Sequence, residues 1–430
     1  MKSFLPLLGR ILIGLALLAS FRIDLANVTE GGSVDFRNRI TGFRLLEHSI
    51  DPYHFIWHAG DPPEYCDLRN NPNLPVSKTT VTPALLTFYA PLALLPYRTA
   101  QILWLFAQWL LLLGTLWLWL RLCTTPFTGW LVTLFVAAFT YTQAWRWEAE
   151  RGQSYLLLSF IFACWMIATL DPKRTRAFAT GLMAGLLITL RPPFLLLLPF
   201  IAIHRRGQLP GAIVGLILGI ALPLLIHPSC WTDYSSAMQT NSDYYRHGIN
   251  PARGPQTFPL VIEGTPTKIL SHFDPFAYSD FSAYALLHRL GLPPVSALPM
   301  TVVVLFGVWL LWGWWYRFPI ESLLPGLAAW FFLADLFLPA IRYSYYDVLI
   351  FNVVLAGIVT AKKFSCPAWP CFLALPFGWG AYFSSPVPAS LLYLPPLLFT
   401  LGAILSLFPF MANDIGSPGT GPKEARQDTV

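Results

Sequence analysis

The chain has 430 residues, of which 55% are hydrophobic and only 12% are charged, and its mean hydropathy is +0.54. This composition provides too little polar surface to coat a soluble globule, so we predict a polytopic membrane protein. The formal charge of +6 does not indicate a nucleic-acid partner, because the Lys and Arg residues form short clusters at the ends of apolar runs, where membrane topology accounts for them.

Apolar stretches recur along almost the whole chain, and each is about 17 to 22 residues long, which suffices to cross a hydrocarbon core of roughly 30 Å, in some cases only with local thinning of the bilayer or tilt of the helix. The stretch within residues 1–20 has the basic start of a signal peptide but no clear cleavage site, so we predict a retained anchor. The basic clusters next to the later stretches should lie in the cytoplasm, and they all do so only if residues 144–152 lie outside. The result is about twelve spans with both termini in the cytoplasm.

The first outer loop is predicted over residues 21–99 and contains two structured segments. The segment from Asp35 to His48 has the pattern of an amphipathic helix. Its apolar residues near helical spacing are Phe36, Ile40, Phe43 and Leu46, and the arginines on its other sides are Arg37, Arg39 and Arg44. Residues 81–96 are apolar but interrupted by prolines, which favours an interfacial helix over a continuous span.

The middle of the chain carries a break in an otherwise continuous apolar run. Arg191-Pro192-Pro193 interrupts residues 177–203, and both flanks are basic, so we predict two short crossings that meet outside. Gly211, Gly215 and Gly219 follow at four-residue spacing, which is typical of close helix packing.

A second large outer loop is predicted over residues 227–297. It contains Cys230, and the first loop contains Cys66. The sequence allows a disulfide between these two outer cysteines but does not decide whether it forms. We predict that residues 1–410 form a single transmembrane domain. Residues 411–430, rich in Gly, Pro and charge, are predicted to be a disordered cytoplasmic tail.

Motifs that hold metals or nucleotides are absent from the sequence. The outer-loop histidines lack ligand spacing, and there is no DxD, P-loop, HExxH or GxGxxG motif. We therefore predict no metal site and no cofactor, and a nucleotide-linked substrate is disfavoured.

Several short motifs are spread over most of the chain. They are Asp35 shortly after the first span, Asp51-Pro52-Tyr53 at the end of the predicted helix, the proline-broken residues 81–96, Gly152-Gln153 at the start of a span, Arg191-Pro192-Pro193 before a leucine run, and Arg342 to Asp347 at the start of a late span. Together they resemble membrane glycosyltransferases of the GT-C fold and, most closely, glycosyltransferase family 87. Its characterised members are polyprenol-phosphate-mannose-dependent mannosyltransferases. The resemblance implies an all-α, GT-C-like fold.

Two motifs depart from the family pattern. Val81-Thr82-Pro83 stands where the family usually has Tyr-Pro-Pro, and Ser344-Tyr345-Tyr346-Asp347 lacks the His-Tyr that many members carry. These departures affect the two predictions that rest on those motifs, namely the identity of the sugar and the way in which its phosphate is bound.

The resemblance implies a role for each motif. Asp35 is the candidate catalytic base, because a carboxylate at the outer interface can take the proton of an acceptor hydroxyl. Arg191 and Arg342 are the candidate donor phosphate-binding residues, since guanidinium groups present a fixed fork of donors. Asp335, about two helical turns before Arg342, is predicted to orient Arg342 or Tyr345. The candidate substrate-binding residues are Gln153, Tyr345, Tyr346, Asp51 and Tyr53.

Each role has a structural alternative. Asp35 also fits a solvated loop aspartate or a helix N-cap. Arg191 also fits a side chain that snorkels at a proline-broken helix end. The cluster from Arg342 to Asp347 also fits an interfacial aromatic belt.

The preferred interpretation is a multi-pass enzyme of the plasma (inner) membrane whose catalytic domain is residues 1–410. It transfers a hexose, mannose by resemblance, from a polyprenyl-phosphate donor to the hydroxyl of a lipid or glycan acceptor at the extracytoplasmic face, with inversion in a single displacement. Its partners are the donor, the acceptor and membrane lipids. One alternative is a transporter or flippase of lipid-linked intermediates, which predicts inverted repeats with broken helices at the bilayer midplane. A non-catalytic membrane scaffold is another.

Overall fold

A computed structural model describes the chain in several ranges. The described residues are 4–30, 33–55, 60–65, 79–170, 176–247, 287, 298–318, 320–337, 346, 348–349, 351–352, 354–355 and 359. Within these ranges the regular secondary structure is helical and contains no strand. The predicted all-α class is therefore confirmed for the described residues.

The helices follow one another with short connections. They are α1 (Phe4–Glu30), α2 (Val34–Glu47), α3 (Pro83–Phe88), α4 (Ala90–Ala93), α5 (Tyr97–Leu120), α6 (Pro126–Phe139), α7 (Gln143–Arg151), α8 (Tyr155–Leu170), α9 (Ala177–Leu190), α10 (Leu197–His204), α11 (Leu209–Ile226), α12 (Cys230–His247), α13 (Leu298–Trp315) and α14 (Ile320–Leu336). Short 3₁₀ segments occupy Pro63–Tyr65, Pro192–Leu196 and Arg206–Gln208.

Within the described residues, three helical segments are long and apolar enough to cross a membrane: Gly9–Glu30, Tyr97–Leu120 and Arg206–Ile226. A fourth arises if α7 and α8, which meet at 112°, count as one broken span. Shorter apolar helices are α6, α9, α13 and the segment Pro192–His204. These lengths agree with a membrane protein, whereas the total of about twelve spans stays a prediction.

The helix predicted after the first span is confirmed, with one difference. α2 buries its apolar side chains, and Phe36 and Ile40 are fully buried. Its arginines are enclosed as well, since Arg37 and Arg39 are only 3% and 4% exposed. The helix is packed inside the protein and does not expose a polar face, because the chain at Gly152 covers the side on which Arg39 lies.

The proline-broken segment does not form one continuous helix. Pro83 is the first residue of α3, and Thr82 Oγ1 caps that helix by accepting the Leu85 N–H at 3.2 Å. The helix stops at Tyr89 before α4 begins. The interruption predicted from the prolines is therefore confirmed, and Leu85, Leu86 and Tyr89 are buried against the protein.

α9 and α11 run side by side in the same direction. A Cβ added at Gly211 would lie 1.9 Å from the Phe178 carbonyl oxygen, and one at Gly219 would lie 2.1 Å from Thr189 Oγ1. Since the two helices are parallel, the chain must return through α10 after the break at Arg191. The predicted break and the predicted close packing of the glycines are both confirmed.

A buried ion pair that the sequence did not indicate joins α1 to α7. The Asp24 and Arg146 side chains are 1% and 3% exposed, and Arg146 also donates to the Ser20 carbonyl oxygen at 3.0 Å. Asp24 Oδ2 accepts from Trp145 Nε1 at 2.9 Å and from Trp109 Nε1 at 3.2 Å. These hydrogen bonds offset the cost of burying two charges, and they fix α7 on α1.

Several predictions fall outside the described residues. Arg342, Tyr345 and Cys66 are among them, as are residues 411–430. The roles of these side chains, the disulfide and the disordered tail therefore stay predictions. Cys230, the other candidate for the disulfide, is buried at the start of α12.

Candidate active site

Gly152 and Gln153 lie at the corner where α7 and α8 meet at 112°. Gly152 ends α7 with a φ of +65°, and a Cβ there would lie 2.5 Å from Phe36 Cβ, so glycine permits the close approach of α2. Glu148 Oε1 accepts the Leu156 N–H at 2.9 Å and satisfies one of the otherwise unpaired donors at the start of α8. The corner thereby brings Gln153 next to α2.

Asp35 lies in the first turn of α2, and its side chain is 12% exposed. Its Oδ2 accepts hydrogen bonds from Arg151 Nε at 2.5 Å and from Gln153 Nε2 at 2.5 Å. The corner therefore holds one carboxylate oxygen, and the other, Oδ1, has no protein donor among the described residues. Both structural alternatives for Asp35 are wrong, because Ser33 is the N-cap and the Asp35 side chain is nearly buried.

Arg39 fixes the orientation of the Gln153 side chain. Arg39 Nη2 donates to Gln153 Oε1, and its Nη1 donates to the Gly152 carbonyl oxygen at 3.0 Å. Because a guanidinium can only donate, the amide oxygen faces Arg39 and the amide nitrogen faces Asp35. Gln153 is 2% exposed, and its own carbonyl oxygen accepts from Trp104 Nε1 at 3.1 Å. A continuous set of hydrogen bonds therefore runs from Arg39 through Gln153 to Asp35.

Arg191 follows α9 and lies between two tyrosine rings. Its Cζ is 4.7 Å from the ring centroid of Tyr155 and 4.8 Å from that of Tyr346, and its Nη1 donates to the Tyr155 hydroxyl at 3.0 Å. Its Nη2 pairs with Asp335 Oδ1 of α14, while its Nε is buried without a partner among the described residues. The snorkelling alternative is wrong, because aromatic rings and a carboxylate enclose this guanidinium.

Asp335 pairs with a residue that the sequence did not indicate as its partner. The sequence predicts that Asp335 orients Arg342 or Tyr345, and both lie outside the described residues. In the structure Asp335 pairs with Arg191. Tyr346, a predicted substrate-binding residue, belongs to the same group of side chains.

The Asp35 and Arg191 groups are joined by a short stretch of chain. Gln153 donates to Asp35, and Tyr155, two residues later, accepts from Arg191. Even a fully extended chain covers about 7 Å in two residues. The carboxylate and the guanidinium therefore belong to one region of the structure.

Asp51 and Tyr53 follow α2 and differ in their surroundings. Asp51 closes its own turn, since its Oδ1 accepts the Tyr53 N–H at 2.8 Å and its Oδ2 lies 2.6 Å from His54 Nδ1. Tyr53 is 2% exposed, and its hydroxyl donates to the Val81 carbonyl oxygen at 3.0 Å. Burial raises the pKa of Tyr53 well above its ordinary value, so this hydroxyl stays protonated. Asp51 thus stabilises the turn after α2, and Tyr53 is packed inside the protein against the chain at Val81.

The start of α12 is the part of this region that sequence reasoning missed. The Tyr234 ring lies 5.6 Å from the Tyr53 ring and 6.0 Å from the Trp231 ring. Burial raises the pKa of Tyr234 to about 12, and the nearby Arg191 guanidinium offsets part of that effect. The local signal is a pair of aromatic residues three positions apart in a polar helix, which by itself is typical of packing.

His227, Ser229 and Asp233 form a hydrogen-bonded group before and within the first turn of α12. Ser229 Oγ donates to Asp233 Oδ2 at 2.7 Å, and both Oγ and Oδ2 contact His227 Nε2, at 3.0 and 3.2 Å. A nucleophilic triad instead places the acid and the nucleophile on opposite ring nitrogens, so this group lacks the geometry of a nucleophilic triad. In the part of the chain that the structure describes, no group of three or more His, Cys, Asp or Glu side chains suits a metal ion.

A family model matches more than half of the chain. The model described as glycosyltransferase family 87 matches residues 80–339. The matched range contains the corner, Arg191, Tyr234 and Asp335, whereas α2 with Asp35 precedes it. No curated protein and no solved structure matches the chain.

Proposed function

We propose that this chain, which belongs to glycosyltransferase family 87 and is a membrane glycosyltransferase, transfers a hexose from a polyprenyl-phosphate donor to an acceptor hydroxyl. Mannose is the sugar that the resemblance implies, and a lipid or a growing glycan is the acceptor. Membership of a glycosyltransferase family favours an enzyme over the transporter and the scaffold.

The observation that carries this proposal is the arrangement of the Asp35 carboxylate. Gln153 and Arg151 hold its Oδ2, and its Oδ1 has no protein donor among the described residues. In the proposed reaction the acceptor oxygen bonds to the anomeric carbon, and its proton passes to Oδ1. The bond from that carbon to the phosphate oxygen breaks, and its electron pair leaves with the phosphate. A single displacement inverts the anomeric centre, and such base catalysis contributes about 10²- to 10⁴-fold.

Arg191 is proposed to bind the leaving phosphate, together with Arg342. The buried Nε of Arg191 supports this role, because a buried N–H without a partner is costly and a phosphate oxygen would satisfy it. Asp335 compensates the charge of Arg191 in the absence of the donor. The aromatic rings of Tyr155 and Tyr346 exclude water around the guanidinium and so strengthen its attraction for an anion.

The proposed reaction takes place at the extracytoplasmic face of the plasma (inner) membrane. A polyprenyl donor arrives from the bilayer and the acceptor arrives from water, so the two meet at an interface. The topology predicted from the basic clusters supports this location, since residues 21–99, 144–152 and 227–297 all fall outside. Those ranges carry Asp35, the end of α7 and Tyr234.

Transfer from a defined donor tests the proposal. The purified protein in nanodiscs receives a polyprenyl phosphate that carries radiolabelled mannose, and a membrane extract supplies the acceptor. Labelled sugar is expected on the acceptor, with an equal amount of polyprenyl phosphate released and with the opposite anomeric configuration in the product. Donors that carry glucose or galactose test the choice of sugar, and protein-free nanodiscs are the control.

The same materials separate the transporter from the enzyme. A flippase moves the intact donor across the bilayer of proteoliposomes and leaves its sugar attached. The membrane extract is first shown to support transfer by native membranes. If the purified protein then moves the donor across the bilayer but never cleaves it, the proposal is contradicted.

A further inference from the structure

Tyr234 reaches the proposed site from a segment that is distant in the sequence. It lies in the second turn of α12, and its ring packs against that of Tyr53 with a centroid distance of 5.6 Å and an interplanar angle of 60°. Trp231, about one turn earlier, also packs on the Tyr234 ring, with ring centroids 6.0 Å apart. Ring packing therefore fixes Tyr234 without using its hydroxyl.

Two hydrogen bonds connect this aromatic contact to the turn that carries Arg191. The Tyr53 hydroxyl donates to the Val81 carbonyl oxygen at 3.0 Å. The next residue, Thr82, donates from its Oγ1 to the Leu190 carbonyl oxygen at 3.2 Å. Leu190 is the last residue of α9 and directly precedes Arg191. Tyr53, and with it Tyr234, is thus held beside the proposed phosphate site.

The Tyr234 hydroxyl differs from the neighbouring tyrosine hydroxyls. That of Tyr53 donates to a carbonyl oxygen and that of Tyr155 accepts from Arg191, whereas that of Tyr234 makes no hydrogen bond among the described residues. The Tyr234 side chain is partly exposed. Burial raises its pKa to about 12, so the hydroxyl stays protonated even at alkaline pH. An unused O–H donor beside a cation is suited to an anion.

We infer that Tyr234 is a donor-binding residue whose hydroxyl donates a hydrogen bond to the phosphate of the polyprenyl donor, next to Arg191. The inference rests on the proposed function, because it takes its anion from the proposed donor. It adds the second outer loop to the groups that hold the leaving phosphate. The phosphate then connects α12 with the break after α9.

Tyr234→Phe removes this hydroxyl and keeps the ring on Tyr53. Affinity is measured in nanodiscs for two probes, a short-chain polyprenyl monophosphate and the matching polyprenol, which lacks the phosphate. Loss of one hydrogen bond to a charged group is expected to weaken monophosphate binding about tenfold, or about 1.4 kcal/mol. Polyprenol binding is expected to stay unchanged. Tyr316→Phe is the matched control, because Tyr316 is 55% exposed at the end of α13.

The two probes separate the possible outcomes. Equal weakening for both probes in Tyr234→Phe would indicate a packing role and overturn the inference. Unchanged monophosphate affinity would overturn it as well, and in both cases the preference of the wild-type protein for the monophosphate would leave the proposed donor intact. A wild-type protein that binds both probes equally would contradict the proposed donor, and the inference would fail with it.

Discussion

Replacement of Gln153 by leucine is expected to slow sugar transfer about 100-fold with little change in the donor KM. Leucine has a similar size but loses the Nε2 hydrogen bond to Asp35 at 2.5 Å and the acceptor for Arg39. Each of these bonds involves a charged group and is worth about 1.5–3 kcal/mol. Asp35 keeps Arg151 as a single donor and can rotate about it. A displacement of about 1 Å at a reacting group costs roughly 10² in rate.

Initial rates at saturating acceptor and varied donor measure the effect. Gln101→Leu is the matched control, because Gln101 is 2% exposed and donates to the Val28 carbonyl oxygen at 2.8 Å, so its loss lowers stability without touching Asp35. Gln153→Glu keeps an acceptor for Arg39 but replaces the donor to Asp35 with a second carboxylate. We expect it to be at least as slow as the leucine variant. A wild-type kcat for Gln153→Glu would contradict this prediction, since Asp35 would then not need the amide donor.

Two further substitutions test the support of the corner. Gly152→Ala is expected to remove most transfer activity, because a φ of +65° and a Cβ 2.5 Å from Phe36 Cβ together cost about 2–5 kcal/mol. Gly307→Ala, whose Cβ meets nothing within 4 Å, is the control, and equal transfer rates for the two variants would contradict this account. Arg146→Met leaves Asp24 buried without its cation and is expected to lower the free energy of unfolding by about 3–5 kcal/mol, measured by denaturant titration in micelles. Adding Asp24→Asn should recover most of this loss, and a double variant no more stable than Arg146→Met would argue against the ion pair as the cause.

Local signals in the sequence are sufficient to predict the helix that carries Asp35 and the chain break at Arg191. Apolar residues at helical spacing predict α2, and consecutive prolines predict the break after α9, because proline lacks an N–H and restricts the residue before it. The partners in the two buried ion pairs could not be predicted from local signals. Arg191 and Asp335 are 144 residues apart, and Asp24 and Arg146 are 122 residues apart. A charge in an apolar run indicates that a partner exists but does not say which residue it is.

The contact between Gln153 and Asp35 was only partly predictable from the sequence. The family resemblance predicts a role for Gln153, and the position after the first span predicts one for Asp35. Their meeting depends on the 112° corner and on the absence of a side chain at Gly152. Tyr234 had no comparable signal, because its position beside Tyr53 depends on the way in which α12 packs on that residue.

Single-turnover transfer by Asp35→Asn tests the claim that Asp35 is the base for transfer. Asparagine keeps the size and an oxygen that accepts from Gln153 and Arg151, but it cannot take the proton of the acceptor. We expect the transfer rate to fall about 10²- to 10⁴-fold while donor binding stays unchanged. Glu47→Gln, at the exposed end of the same helix, is expected to transfer at the wild-type rate. Transfer by Asp35→Asn at the wild-type rate with the donor bound would contradict the claim.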